Sequence, residues 1–165
     1  MTDYLYSPWR LQYILSEKEK GCIFCIKPHE KDDQKNLILY RSSLSFVIMN
    51  LYPYNNGHLM VVPNKHVSRL NDLSKEEYSD LFELVILTEK VLTNVYHSDG
   101  FNIGLNLGKA AGAGIAEHLH VHVVPRWNGD SNFMHSINGI RVIPEAFETA
   151  FAKIKEGFDK ISSKK

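Results

Sequence analysis

The chain of 165 residues is long enough to form one domain whose buried core needs no disulfide bridges. Its 19 Lys and Arg residues balance 19 Asp and Glu residues, which argues against a nucleic-acid binder that works through bulk charge. No apolar run approaches the roughly 20 residues of a membrane span, and residues 1–14 lack the apolar core of a signal peptide. We therefore expect a cytoplasmic protein that contacts neither nucleic acid nor membrane.

The first half of the chain predicts a short helix followed by three strands. The helix covers residues 8–19 and begins at Pro8, because proline is well tolerated in a first helical turn. A turn at Asn55-Asn56-Gly57 introduces the last of the three strands, and Pro63 ends it. The predicted strands are 37–40, 45–50 and 58–62.

The second half predicts two longer helices and two further strands. Ser74 and Glu77 have the spacing of a capping box, so a helix begins there and runs to about His97. Its inward stripe is Leu81, Leu84, Val85, Thr88, Leu92 and Val95. The remaining elements are strands over 101–107 and 117–124, the latter ended by Pro125, and a helix over about 144–161. We expect an α+β fold, with an antiparallel sheet of about five strands and helices on one face.

Three histidines, His118, His120 and His122, alternate with aliphatic residues in the strand predicted over 117–124. Successive side chains of a strand leave opposite faces, so the aliphatic residues enter the core and the imidazoles share the other face, about 6–7 Å apart. Two chemistries fit such a row. Either the three imidazoles bind one metal ion, or one imidazole attacks phosphorus while its neighbours position the phosphate.

The segments on both sides of the histidines favour phosphorus chemistry. Before them, Gly112 and Gly114 belong to a glycine-rich stretch whose backbone N–H groups can approach phosphate oxygens, and Lys109 adds a positive charge. After them, Arg126 can clamp a phosphate and Trp127 can stack on a base. Glycines alone can simply mark a turn. Directly before an alternating histidine strand, however, they favour phosphate chemistry over a three-histidine metal site.

Cys22 and Cys25 form a Cys-x2-Cys pair. In a chain without a secretory signal this spacing favours metal binding or redox use over a structural bridge. Two reduced thiols and a disulfide remain alternatives to a metal site at this point.

The run His118-Leu119-His120-Val121-His122-Val123-Val124 resembles the signature of the histidine-triad superfamily of nucleotide hydrolases and transferases. The resemblance covers about residues 20–127 and includes Asn50 and the Gly57-His58 step. Trp127 and the following Asn-Gly-Asp are most similar to the bacterial branch of diadenosine tetraphosphate phosphorylases. The resemblance implies a single histidine-triad domain over 1–165 with a helical extension at each end. It also implies a homodimer, for which the helix near 74–97 and the strand near 101–107 are candidate interface elements.

The resemblance implies a role for each of several residues. His120 matches the nucleophile that attacks the α-phosphorus of an adenine nucleotide and forms a covalent nucleotidyl-histidine. His122 matches the histidine that contacts the phosphate and the leaving oxygen. The residues that match the family's phosphate, ribose and base contacts are Asn106, Asn50, Phe46 and Ile48.

One position departs from the family pattern. Many members carry glutamine four residues before the first triad histidine, where this chain has Gly114. Their glutamine contacts the α-phosphate or the leaving group, so its loss argues against a dinucleoside triphosphate hydrolase. Inorganic phosphate then becomes the expected acceptor, and diadenosine tetraphosphate would give ADP and ATP. A hydrolase or phosphoramidase that uses water, and a nucleotide-binding regulatory module with vestigial activity, remain alternatives.

Some members of the superfamily, and the related uridylyltransferases, hold structural zinc with a Cys-x2-Cys pair and two histidines. The matching positions here are Cys22, Cys25, His66 and His118. His118 would then anchor the segment that presents His120.

The other histidines have plainer interpretations. We expect His29 and His97 on the solvated surface. His58 matches a family position near the site, where a structural role and a substrate contact are both open. His135 is a candidate for a flap over the substrate.

Overall fold

The computed structural model describes residues 21–30, 32–130 and 143–163. The helix predicted over 8–19 and the flap candidate His135 lie outside these ranges. The helices are α1 (Ile23–Ile26), α2 (Lys75–Tyr96) and α3 (Phe147–Ser162), and the strands are β1 (Ile38–Arg41), β2 (Ser45–Met49), β3 (Leu59–Pro63), β4 (Gly100–Gly104) and β5 (Val121–Arg126). Short 3-10 turns occur at Lys27–His29, Leu70–Asp72 and Lys109–Ala111.

The five strands form one antiparallel sheet in the order β1-β2-β3-β5-β4, which confirms the predicted α+β class. β5 is last in the sequence but lies between β3 and β4. In its register, His122 lies between Met60 of β3 and Gly104 of β4. The strand that carries His122 is therefore paired on both sides and fixed near the middle of the sheet.

α2 begins with the predicted capping box. Ser74 Oγ accepts a hydrogen bond from Glu77 N at 3.2 Å, and Glu77 Oε2 accepts one from Ser74 N at 2.7 Å. The helix ends at Tyr96, after which His97 adopts a left-handed conformation with φ of 50°. Its buried residues are Leu81, Leu84, Val85, Thr88, Val91 and Leu92. The predicted stripe is confirmed except that Val91 is fully buried and Val95 only partly buried. Among the described residues, no helix is long and apolar enough to cross a membrane.

The two faces of the sheet carry separate apolar clusters. α2 and α3 cover one face, and Leu119, Val121 and Val123 enter the core beneath them as predicted. Phe46 and Ile48 alternate with Val47 and Met49 along β2, so they lie on the opposite face. The smaller cluster on that face is Phe24, Ile38, Phe46, Ile48, Met60 and Val62. The triad histidines share this second face.

The predicted start of the last strand at residue 117 is wrong. β5 begins at Val121, so His122 is the one triad histidine that lies within a regular strand. The backbone of the segment before β5 forms a hydrogen bond outside the regular strands. Leu119 N donates to Val67 O at 2.7 Å, and Val67 lies beyond the end of β3. The inward and outward alternation nevertheless continues through this segment, since Leu119 still enters the helix-side core.

The predictions that Pro125 ends this strand and that β4 extends to residue 107 are also wrong. β5 continues to Arg126, and β4 ends at Gly104. Pro125 O accepts a hydrogen bond from Asn55 Nδ2 at 3.1 Å. The N and O atoms of one strand residue point to the same edge, so the missing N–H of Pro125 removes no hydrogen bond to β4.

Candidate active site and metal site

His120 lies directly before β5 with its imidazole in a fixed orientation. His120 Nδ1 is 2.9 Å from His118 O, and a carbonyl oxygen can only accept, so Nδ1 carries the proton. Nε2 therefore presents its lone pair. The residue is 6% exposed, and burial lowers its pKa, against the opposing effect of the hydrogen bond to His118. His120 has the form that a nucleophilic imidazole requires at neutral pH.

His122 carries its proton on the other ring nitrogen, Nε2. A chain of hydrogen bonds through His58 determines this. Tyr54 N donates to His58 Nδ1 at 3.0 Å, so the proton of neutral His58 is on Nε2. His58 Nε2 then donates to His122 Nδ1 at 3.0 Å. The proton of His122 is thereby placed on Nε2, where it can be donated to a ligand. Asn50 Nδ2 lies 3.1 Å from His58 Nδ1 and gives that nitrogen a second donor.

Burial keeps both members of the His58–His122 pair neutral. It lowers the pKa of His58 to about 3, with a further contribution from the positive charge that His122 and His120 would carry. It lowers the pKa of His122 to about 4, again helped by His120. The rings of His120 and His122 meet edge to face with centroids 4.9 Å apart. A lone pair and an N–H group thus stand side by side on one face of the sheet.

Four potential metal ligands come together next to the triad. Ligand atoms of Cys22, Cys25, His66 and His118 all lie within 4.8 Å of one another. Cys22 Sγ is 3.3 Å from His118 Nδ1, and Cys25 Sγ is 3.2 Å from His66 Nδ1. Neighbouring sulfur and nitrogen ligands of a tetrahedral zinc ion are about 3.5 Å apart, so the set fits zinc.

His118 is oriented toward the two cysteines by its second ring nitrogen. Its Nε2 donates to Pro63 O at 2.9 Å, which leaves Nδ1 as the atom available to a metal. Burial lowers the pKa of His118 and keeps the ring neutral, as a ligand must be. The three triad histidines therefore have three different surroundings, although their spacing in the sequence is uniform.

The predicted nucleotide pocket is partly covered in this structure. Phe46 and Ile48 are buried in the second cluster, and Asn50 is buried against His58. Asn106 is half-buried, while Gly112 and Gly114 are exposed in the loop over 105–117. Because Gly104 pairs with His122 and the loop returns at His118, both ends of this loop lie at the triad.

Arg126 and Trp127 have other partners. Arg126 Nη2 donates to Asp130 Oδ1 at 2.8 Å and Nη1 donates to Asn102 Oδ1 at 2.6 Å, and this pairing holds the pKa of Asp130 well below its usual range. Trp127 Nε1 donates to Tyr96 O at 3.1 Å at the end of α2. Within the described ranges, these hydrogen bonds link both side chains to segments around the end of β5 and none of them joins a triad histidine.

The sequence pattern gave little or no indication that three further residues lie near the triad. His58 lies two residues before Met60, the neighbour of His122, so strand alternation could have placed it on the same face. Tyr54 packs its ring on His58 and His122 at centroid distances of 4.6 and 5.6 Å. Phe24, between the two cysteines, packs on His118 and His120, and no local pattern signals that contact.

Comparison with known proteins identifies the family of the chain. The HIT domain model matches residues 31–129. AP-4-A phosphorylase of Mycobacterium tuberculosis is 43% identical over 149 residues, 86% of this chain and 76% of that protein. An asymmetrical bis(5'-nucleosyl)-tetraphosphatase of Schizosaccharomyces pombe is 39% identical over 93 residues, 56% of this chain and 50% of that protein.

A solved structure shares the fold as well. The Zn-bound histidine triad family protein from Mycobacterium smegmatis aligns with a TM-score of 0.70 and 27% identity, covering 88% of this chain and 98% of that one. The predicted superfamily is confirmed, as is the similarity to the AP-4-A phosphorylase branch. From its fold, its triad and these matches, the chain belongs to the HIT domain family.

Proposed function

We propose that the chain is a nucleotidyl-transferring enzyme that cleaves diadenosine tetraphosphate at an α-phosphate, with inorganic phosphate as acceptor and ADP and ATP as products. One observation carries the proposal: His120 Nε2 presents a lone pair while the neighbouring His122 Nε2 carries a proton. The 43% identity to AP-4-A phosphorylase supports the substrate class. Adenine dinucleotide and phosphate are thus the proposed partners.

In the first step, the His120 Nε2 lone pair attacks the α-phosphorus and forms a P–N bond. The bond from that phosphorus to the bridging oxygen breaks, and the electron pair leaves with ATP. The His122 Nε2–H donates a hydrogen bond to the departing oxygen. The cationic ring of His120 keeps its Nδ1–H bond to His118 O, which stabilises the charge that develops during attack.

In the second step, a phosphate oxygen attacks the same phosphorus from the side that the ATP has left. The P–N bond breaks, its electrons return to His120 Nε2, and ADP is released. Gly114 stands where the family pattern has a glutamine side chain, and a Cβ added there would meet open space, which leaves room for the acceptor phosphate. The backbone of the loop over 105–117, with Asn106, Gly112 and Gly114, is the proposed contact for the phosphates.

Product analysis tests this proposal. The purified protein is incubated with diadenosine tetraphosphate with and without inorganic phosphate, and the nucleotides are separated. ADP and ATP should form in equal amounts, only when phosphate is present. Equal turnover to AMP and ATP in both samples would show that water is the acceptor. Tight nucleotide binding with no turnover in either sample would indicate a regulatory module instead.

We also propose that Cys22, Cys25, His66 and His118 bind a structural zinc ion. A closed set of two thiolates and two imidazoles suits zinc and leaves no position for substrate. Zinc there supplies a cross-link between α1 and the segment before β5. The proposed location is the cytoplasm, where a reducing environment keeps thiol ligands unbridged.

The proposed homodimer uses the outer face of α2 and the edge of the sheet. Tyr78, Phe82 and Ile86 are exposed at intervals of four residues along α2, and Ile86 is 64% exposed. β4 is an edge strand of the sheet and carries the exposed Ile103. Exposed apolar side chains and an unpaired strand edge are each typical of an interface. Sedimentation should give a dimer of single-domain chains, and Ile86→Lys should give monomers.

A further inference from the structure

The turn from Cys22 to Cys25, called the cysteine knuckle below, places an aromatic side chain next to the proposed active site. Phe24 lies in α1 between Cys22 and Cys25 and is 1% exposed. Its ring centroid is 5.1 Å from that of His120, at an interplanar angle of 52°. The same ring meets His118 edge to face at 5.5 Å. Phe24 therefore contacts both the proposed metal ligand and the proposed nucleophile.

The imidazole of His120 contacts His118, His122 and Phe24. Its Nδ1–H donates to His118 O, which fixes one atom of the ring. His122 bounds the ring from one side and Phe24 from another, with centroids 4.9 and 5.1 Å away. A single hydrogen bond still allows the ring to tilt about that contact. The rings of His122 and Phe24 restrict this tilt. Of these two residues, Phe24 has no part in the proposed chemistry.

The backbone around Phe24 depends on the metal ligands. Cys25 N and Ile26 N both donate to Cys22 O at 3.0 Å, which closes the turn that holds Phe24. Binding of both cysteines to one ion would fix this turn on each side of the aromatic residue. The geometry thus connects the metal site to His120 by two routes, through the Phe24 ring and through the His118 carbonyl.

We propose that Phe24 is a positioning residue for His120: its ring, held by the cysteine knuckle, keeps the imidazole oriented so that Nε2 faces the α-phosphorus. This rests on the proposed role of His120 as nucleophile. A contact between Phe24 and a nucleobase is the competing role, since Phe24 belongs to the same cluster as Phe46 and Ile48. The direct contact of its ring with the His120 imidazole favours the role toward His120.

Kinetics distinguish the two roles. Phe24→Leu and Phe24→Ala leave a space beside the imidazole, and a shift of about 1 Å in an attacking atom costs on the order of a hundredfold in rate. We expect kcat for diadenosine tetraphosphate to fall about tenfold in Phe24→Leu and about a hundredfold in Phe24→Ala, with little change in KM. A rise in KM at unchanged kcat would overturn the proposal in favour of a base contact.

Two controls separate positioning from general damage. Phe158→Leu makes the same change at a residue that is 0% exposed in the helix-side core, and it should lower stability without changing kcat. The zinc content of each variant is measured in parallel. A loss of activity in Phe24→Leu that follows a loss of zinc would show that Phe24 only holds the knuckle together, and would overturn the proposal.

A readout without turnover keeps the test independent of the proposed function. In the wild-type protein, NMR should show the His120 Nδ1–H proton as a slowly exchanging signal, because it is bonded to a buried carbonyl. In zinc-loaded Phe24→Ala this proton should exchange with water at least about tenfold faster. An unchanged exchange rate overturns the proposal. If the wild-type protein fails to cleave the dinucleotide, the proposed function fails while this measurement still reports on Phe24.

Discussion

His58 Nε2 lies 3.0 Å from His122 Nδ1, and this hydrogen bond decides which nitrogen of His122 carries its proton. Tyr54 N occupies the other nitrogen of His58, so the direction of donation is fixed toward His122. The residue that would assist the leaving group is thereby prepared by a histidine outside the triad. In the proposed site, His58 would therefore act as a positioning residue through His122.

The first prediction concerns this pair. His58→Asn removes the donor to His122 Nδ1, so the His122 proton is no longer confined to Nε2 and kcat should fall about ten- to hundred-fold. The fall should be larger for the phenyl ester of AMP than for the p-nitrophenyl ester, because the poorer leaving group needs more assistance. His97→Asn, at an exposed position, serves as the control. An equal effect on the two esters would contradict the role of the His58–His122 pair.

The second prediction concerns the covalent intermediate. His120→Ala should lower kcat by several orders of magnitude and abolish the nucleotidyl-protein adduct that can be trapped with radiolabelled substrate. His29→Ala changes an exposed histidine and should leave the adduct intact. Wild-type turnover by His120→Ala would rule out His120 as the nucleophile.

The third prediction concerns the metal. The purified protein should contain one zinc ion per chain, and the double substitution Cys22→Ala and Cys25→Ala should remove it. Loss of a ligand present at about 1,000 times its Kd lowers the free energy of unfolding by about 4 kcal/mol, measurable by urea denaturation. Zinc that stays bound in the double variant would place the ion on the triad histidines and favour a metal-dependent hydrolase.

The fourth prediction concerns pH. The pKa of His58 is lowered to about 3 and that of His122 to about 4, while both are near 6.5 in the unfolded chain. Below pH 6.5 the unfolded chain therefore binds more protons than the folded one. The stability that these groups contribute is complete above pH 6.5 and is lost as the pH falls toward 4.

Urea denaturation between pH 7.5 and 4 measures this loss. Each histidine adds up to about 1.4 kcal/mol per pH unit to the slope in this range. His58→Asn removes one of the two groups, so its slope should be shallower than that of the wild-type protein by up to that amount. The exposed His97→Asn should leave the slope unchanged, and a slope unaffected by His58→Asn would contradict the burial argument.

The sequence by itself determined the features that depend on local pattern. Aliphatic residues at every second position sent Leu119, Val121 and Val123 into the core whether or not the segment was a regular strand. The Ser74 capping box predicted the start of α2 because both of its hydrogen bonds close within four residues. The spacing of the three histidines was enough to indicate the HIT family.

Tertiary structure decided the surroundings of each histidine, and the proposed roles depend on which atom lies opposite each ring nitrogen. Cys22 lies 96 residues before His118 in the chain, and Cys25 lies 41 before His66, yet their ligand atoms meet. The same long-range folding brings His58 to His122, which lies 64 residues later in the chain. A period of two specifies the face that a side chain occupies. The partner that fixes the protonated nitrogen of His120 is local, the carbonyl of His118 two residues earlier. For His122 and His118 the corresponding partners, His58 and Pro63, come from distant segments, and only the folded chain brings them into contact.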